Sequence, residues 1–251
     1  MQLKIRDKFL IWDKVDSRYF IITGGRGSGK SFAINTMLLL LTQEQGHTIL
    51  FTRYTLRSAN ISIIPEFKEK IDLLQLNHMF HINKDEIINK NSGSKILFRG
   101  IKTSSGDQTA NLKSLQGITT WVMDEAEELV DESIFDKIDL SVRKKGIDNR
   151  IMLVLNPATK EHWIYQRFFE SKGIDSKSNL STGDVTYIHS TYLDNIENLS
   201  DSYLARIKDI KNNRPAKYEH QILGGWLEKA EGVIFSNWAI GKFQEVSTVV
   251  L

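Results

Sequence analysis

The chain has 251 residues, 41% hydrophobic and 25% charged, which is enough apolar material for one sizeable core and excludes an intrinsically disordered chain. Its 33 Lys and Arg nearly cancel 31 Asp and Glu to leave +2, so any polyanion contact must come from local patches rather than a basic surface. The absence of cysteine excludes disulfides and thiolate metal sites and fits a reducing compartment, and no apolar run approaches bilayer length, so no membrane association is expected.

Residues 3–15 alternate charge with Leu3, Ile5, Phe9, Leu10, Ile11 and Trp12, the pattern of an amphipathic helix rather than of a signal peptide. Its aromatics serve either to cover a sheet edge or to lie against an adenine ring. Residues 19–22 read as a short buried strand and residues 31–41 as a core helix. Between them Gly24, Gly29, Lys30 and Ser31 satisfy G-x-x-x-x-G-K-[ST], in the strand-to-helix setting that this pattern's chemistry requires. Glycines let the chain turn sharply while backbone N–H groups point inward at an anion, and the helix N-terminus adds its own unpaired donors. The expected nucleotide-binding residues are therefore Gly24, Gly25, Arg26, Gly27, Ser28, Gly29, Lys30, Ser31 and Phe32. Lys30 would reach the β- and γ-phosphates, and the Ser31 hydroxyl would ligate Mg²⁺.

Gly46 ends the helix and residues 47–53 read as a second strand, a strand–helix–strand unit that demands a parallel sheet. A helix follows over 61–71, with Pro65 tolerated in its first turn, then a hairpin over 85–101 turning at 91–94, then a polar loop at 104–109. Residues 119–125 form a third strand ending in two acids. A helix over 133–144 leads to a strand at 150–155 that stops at Asn156-Pro157, followed by an aromatic-rich helical stretch at 162–170 and a fifth strand at 185–192. From Leu199 the character changes: Ser200 caps a helix, residues 214–223 make a second short one, and Gly224-Gly225-Trp226 follow, with a further strand only at 233–235. The expected architecture is an α/β fold of the P-loop NTPase kind, with a mainly parallel sheet flanked by helices. The core would span residues 1–194, a small helical lid 195–232, and a C-terminal segment 233–251.

An apolar strand ending in acids is what a phosphate-cradling loop needs opposite it. Asp124 would hold Mg²⁺, and Glu125 would orient and deprotonate a water that attacks the γ-phosphate. Alone such a pair also suits a helix N-terminus; together with residues 24–31 it points to a Mg²⁺-dependent ATPase. Asn156 either senses the γ-phosphate or merely opens an Asx-Pro turn with Pro157. For charge on the transition state, Arg26 is the candidate in cis, and Arg53, Arg57, Arg99 and Arg143 are candidates for donation to a neighbouring subunit.

GGRGSGKS at 24–31, DEAEEL at 124–129, LNP at 155–157, and the later HSTYLDN, SDSYLARI, YEHQILGGW and GVIF segments resemble the large terminase subunit of tailed bacteriophages over nearly the whole chain. The resemblance implies the ATPase domain of the motor that drives double-stranded viral DNA into an empty capsid. It makes Arg26 the loop arginine, Asp124 and Glu125 the metal and catalytic acids, and Asn156 and Pro157 part of the motif coupling hydrolysis to movement. It also implies a homo-oligomeric ring, usually pentameric, on a capsid portal, a small terminase subunit as partner, and the cytoplasm of the bacterial host as the place of action. Relatives usually carry a ribonuclease-H-like nuclease domain whose acid cluster is not found here, so DNA cutting is not expected of this chain. Two rival readings remain. A DEAD-like helicase or another P-loop DNA-dependent ATPase shares the acid motif but needs a second motor lobe; a non-hydrolysing nucleotide switch would have no use for Glu125.

Overall fold

Near-continuous buried runs along the central strands, whose successive side chains point to opposite faces, build a sheet covered on both faces. The computed structural model describes residues 4–55, 63–103, 106–107 and 116–228. Its strands are β1 (Tyr19–Gly24), β2 (Thr48–Thr55), β3 (Phe80–Ile82), β4 (Glu86–Asn89), β5 (Lys95–Thr103), β6 (Gly106–Asp107), β7 (Thr120–Asp124), β8 (Arg150–Leu155), β9 (Leu180–Thr182) and β10 (Val185–Ser190). They join in the order β3-β4-β5-β2-β7-β8-β1-β10-β9, with β6 paired to β5 off this path. The run from β5 to β10 is parallel, while β3, β4, β6 and β9 pair antiparallel.

On one face Phe20, Ile22, Ile49, Phe51, Val122, Met152 and Val154 pack under α1 (Lys30–Leu41) and α2 (Ile64–Leu73). On the other, Ile21, Leu50, Trp121, Met123, Ile151 and Leu153 pack under α3 (Glu132–Asp139) and α4 (Trp163–Tyr165), which runs on as a π turn at Gln166–Glu170. The period-2 split of consecutive strand residues between two cores is the mark of a three-layer α/β/α arrangement. α1 itself is apolar nearly all round, which suits a helix wedged between the sheet and a second helix.

Most expected elements are present, with informative differences. β1 and β2 are parallel but not neighbours, because β7 and β8 lie between them. The hairpin at 85–101 forms, yet β5 also runs parallel to β2, so this strand joins the hairpin to the main sheet. The short strands β3 and β9 were not foreseen; each is only 3 residues long and is held by its antiparallel neighbour. α3 stops earlier than expected because Arg18 takes over its end: the guanidinium donates to the carbonyls of Asp139 and Val142 and to the Asp139 carboxylate, which also accepts from the Tyr19 hydroxyl at 2.8 Å. Residues 7–13 form a 3₁₀ rather than an α-helix, and Phe9 lies in the core, 2% exposed, so it covers the sheet and is closed to a ligand. Residues 61–62, the Ser104–Ser105 and 108–109 parts of the expected polar loop, and the strand at 233–235 lie outside the described residues.

After β10 the chain forms a capped 3₁₀ turn (Tyr192–Asn198), then α5 (Asp201–Asn213), capped by the Ser200 hydroxyl accepting from the Tyr203 N–H, then α6 (Pro215–Lys217) and a π turn at Tyr218–Ile222. Ile207, Ile210 and Ile222 form a small cluster of their own, flanked by Tyr192, Tyr203, Leu204 and Tyr218. Among the described residues no helix is long and apolar enough to cross a membrane.

Candidate active site

The parallel run aims the C-terminal ends of β1, β7 and β8 at one cavity of about 270 Å³. Residues 25–32 of the loop line it on one side, Arg53 from β2 with Asp124 and Glu125 line it on another, and Leu155 and Asn156 close the gap between them. Sheet order is what brings these together: β8 sits between β1 and β7, so Asn156 emerges between the loop and the acids.

The loop is held tightly by the chain after β10. A Cβ on Gly25 would stand 1.8 Å from the Ile222 carbonyl oxygen, so no larger residue fits there. Gly29 takes φ +77° as the N-cap of α1, a conformation that turns the loop into the helix. The Arg26 N–H donates to the Gln221 carbonyl at 2.9 Å, and the Asn195 amide donates to the Gly27 carbonyl at 3.0 Å. Behind the loop, His189 bridges the Thr23 hydroxyl and the Leu223 carbonyl, each at 2.9 Å; burial pushes its ring down to about 4, so it is neutral at physiological pH.

Lys30 is buried and folds back over the loop. Its ammonium donates to the Gly24 carbonyl at 2.9 Å, the Gly25 carbonyl at 3.2 Å, the Ser28 hydroxyl at 3.2 Å and the Asn156 Oδ1 at 3.0 Å. Burial lowers it to about 8, against the pull of Glu127 and Asp124, so it carries its charge at neutral pH. Arg26 lies exposed on the rim. Phe32 is half-open at the cavity, with the Lys70 ammonium 4.6 Å above its ring. Ser31 lines the cavity beside them.

Opposite, Asp124 is 3% exposed at the end of β7. Arg53 clasps it, with Nε and Nη2 donating to Oδ2 at 2.9 and 2.7 Å, and Nη2 also lies 3.2 Å from Glu125 Oε1. Glu125 is held at φ 56°, ψ 46°, left-handed backbone that a non-glycine residue rarely adopts and that marks functional sites. Burial raises its carboxyl above the usual range, the Arg53 charge opposing this. Hard oxygen donors at Ser31 and Asp124 suit Mg²⁺ better than a thiophilic metal. Among the described residues no group of three or more His, Asp or Glu is placed to hold a metal ion by itself.

The four arginines expected to serve a neighbour have different fates. Arg53 is not turned outward: it is 14% exposed and paired to both acids of its own site. Arg99 is bound to the Asp85 carboxylate at 2.8 Å, outside the cavity lining. Arg143 is exposed before β8, at the end of the sheet opposite the cavity; the adjacent Lys144 donates to Gly46 just before β2. Arg57 lies outside the described residues. Asn156 does more than open a turn, since its amide meets Lys30, whereas Pro157 is buried outside the cavity. Sequence reasoning passed over Glu127, which bonds Asn156; it expected a helical lid at 195–232 but none of the contacts by which residues 195, 221 and 222 hold the loop. DEAEE offers several carboxylates, and only the left-handed turn at Glu125 decides which of them points inward.

A sequence model of the family described as phage terminase large subunit matches residues 16–225. The terminase large subunit of Bacillus phage SPP1 is 26% identical over 234 residues, covering 88% of this chain and 51% of that one. The large terminase of a thermophilic bacteriophage superposes with a TM-score of 0.68 at 16% identity, over 88% of this chain and 52% of its own. The ATPase domain of the Thermus phage P74-26 large terminase gives 0.60 at 18%, over 87% of this chain and 92% of that domain. The chain thus spans about half the length of the full large subunits it matches.

Proposed function

The chain belongs to the phage terminase large subunit family, and from that membership we propose that its β1–α1 loop binds ATP, hydrolyses it, and so drives double-stranded DNA into a capsid. The observation that carries this reading is the meeting of Lys30, Asn156, Asp124, Glu125 and Arg53 around one cavity at the ends of β1, β7 and β8. The large terminase of the thermophilic bacteriophage, of the same fold, has been solved in complex with ADP and with ATP-γ-S, which supports a nucleotide as the ligand.

In this reading the loop N–H groups and the α1 N-terminus hold the phosphate oxygens, and Lys30 leaves the loop carbonyls to meet them. Ser31 and Asp124 would hold Mg²⁺, which would supply neutralisation of the phosphate charge. Glu125 takes a proton from the attacking water; its raised carboxyl makes it a better base than an ordinary surface acid. Arg53 supplies positive charge in cis, together with Arg26 on the rim. Asn156, touching Lys30, registers the γ-phosphate and passes its loss to β8 and Pro157. Residues 195–232 act as a lid through the turn that abuts Gly25. A pentameric ring on a capsid portal, a small-subunit partner and action in the host cytoplasm complete the proposal.

The test is phosphate release by the purified chain with ATP and Mg²⁺. Release should cease with EDTA and fall on the order of 100-fold or more in E125Q, with ATP binding retained. Undiminished release by E125Q would move the base elsewhere, and a wild-type chain that binds ATP without releasing phosphate would favour a switch.

A further inference from the structure

Glu127 is the acid of DEAEE that the chemistry above leaves unused. The left-handed residue Glu125 and the 3₁₀ turn Ala126–Glu128 after it send consecutive side chains in different directions: Ala126 into the core, Glu128 to solvent, Glu127 back beneath the strand ends. The Glu127 carbonyl accepts from His162 Nε2 at 3.1 Å, which pins the turn from behind. Its carboxyl Oε1 accepts from the Asn156 amide nitrogen at 3.3 Å, and Oε2 is buried without a partner among the described residues. Asn156 in turn presents Oδ1 to the Lys30 ammonium at 3.0 Å.

The sequence of donors in this chain has one sense only. Lys30 can only donate, so it needs the amide oxygen. The amide nitrogen then points at Glu127 Oε1, which accepts whether or not Oε2 carries a proton and holds the exposed amide in that sense in place of water. Remove it, and the amide is free to turn its NH₂ toward the ammonium, setting donor against donor. Burial of Oε2 raises the Glu127 carboxyl to about 7 against the stabilising bonds from Asn156 and the charge of Lys30, so this half-buried acid is held there at a cost.

We propose that Glu127 is a positioning residue of the nucleotide site: it fixes the orientation of the Asn156 amide and thereby the place of the Lys30 ammonium against the phosphates. The proposal rests on the reading of the loop as an ATP site. Glu127 itself touches no reacting atom.

The experiment measures the affinity for a fluorescent ATP analogue and the rate of phosphate release for wild type, E127A, E127Q, E127M, N156A and E127A/N156A. E127A and E127M should each weaken nucleotide binding on the order of tenfold, the worth of one charge-linked hydrogen bond. E127Q, whose amide oxygen still accepts, should recover most of that loss. In the N156A background E127A should add less than about twofold, because the interaction it supports is already gone. Losses that multiply in the double variant would overturn the proposal, as would wild-type affinity in E127M, whose apolar chain fills the space should E127A fail to fold. Wild type that binds no ATP would overturn the ATP-site reading as well, whereas ATP binding by wild type with an indifferent E127M overturns the positioning role alone.

Discussion

Replacing Glu127 with Gln should change how stability depends on pH, in a direction that its burial dictates. Burial lifts the carboxyl from an ordinary 4.5 to about 7, with the Asn156 hydrogen bonds and Lys30 opposing only part of that rise. Between those values the native state binds more protons than the unfolded chain, so the contribution is whole below about 4.5 and is lost as pH rises through about 7. The full difference corresponds to about 3 kcal/mol, of which about 2 kcal/mol falls between roughly pH 5 and pH 7.5. The glutamine side chain does not titrate. Urea unfolding followed by tryptophan fluorescence should therefore show wild type losing about 2 kcal/mol relative to E127Q across that range. Lys30 works in another window with the opposite sign: lowered from 10.5 to about 8, it makes stability rise with pH there, so data below pH 7.5 isolate Glu127. A difference between the two proteins constant within about 0.5 kcal/mol from pH 5 to pH 7.5 would refute the claim that folding raises the Glu127 carboxyl to about 7.

Two substitutions probe the walls of the cavity. Gly25→Ala puts a methyl group 1.8 Å from the Ile222 carbonyl oxygen, so the loop or the 218–224 turn must move. We expect a loss of about 2 kcal/mol or more in thermal unfolding together with weakened ATP binding, and an unchanged midpoint would refute that close approach. Arg53→Ala leaves Asp124 and Glu125 facing each other without their shared cation, and should cost about 3 kcal/mol at pH 7 and less at pH 4, where carboxylates begin to protonate. A pH-independent loss, read by chemical denaturation, would show that Arg53 acts by packing rather than charge.

The strongest parts of the site were legible because they are local. Gly24 to Ser31 carry their own turn chemistry, and the apolar strand before Asp124 announces both its burial and its end. The fate of the arginines was not legible, because Arg53 meets Asp124 across 71 positions of chain and only the pairing of β2 with β7 joins them. Glu127 was hidden for a smaller-scale reason. Whether residue 127 points in or out depends on a positive φ at residue 125 that no propensity predicts for glutamate. A helical lid at 195–232 was expected, but the contacts by which it walls the loop were not legible, since they run between backbone carbonyls and the loop's glycines and N–H groups rather than through a side-chain pattern.

By itself the sequence determined that a strand, a phosphate-cradling turn and a helix follow one another, that an acid-ended strand faces them, and that the sheet is mainly parallel. Backbone sterics and the continuous apolar runs of strands buried on both faces act over a few residues and leave their trace in the order of residue types. Tertiary structure decided that β8 lies between β1 and β7, so that Asn156 reaches Lys30, that Arg53 belongs to its own site, and that Glu127 stands behind the amide. Those outcomes depend on which strands become neighbours and which carboxylate can be buried, quantities set by the packing of the whole sheet.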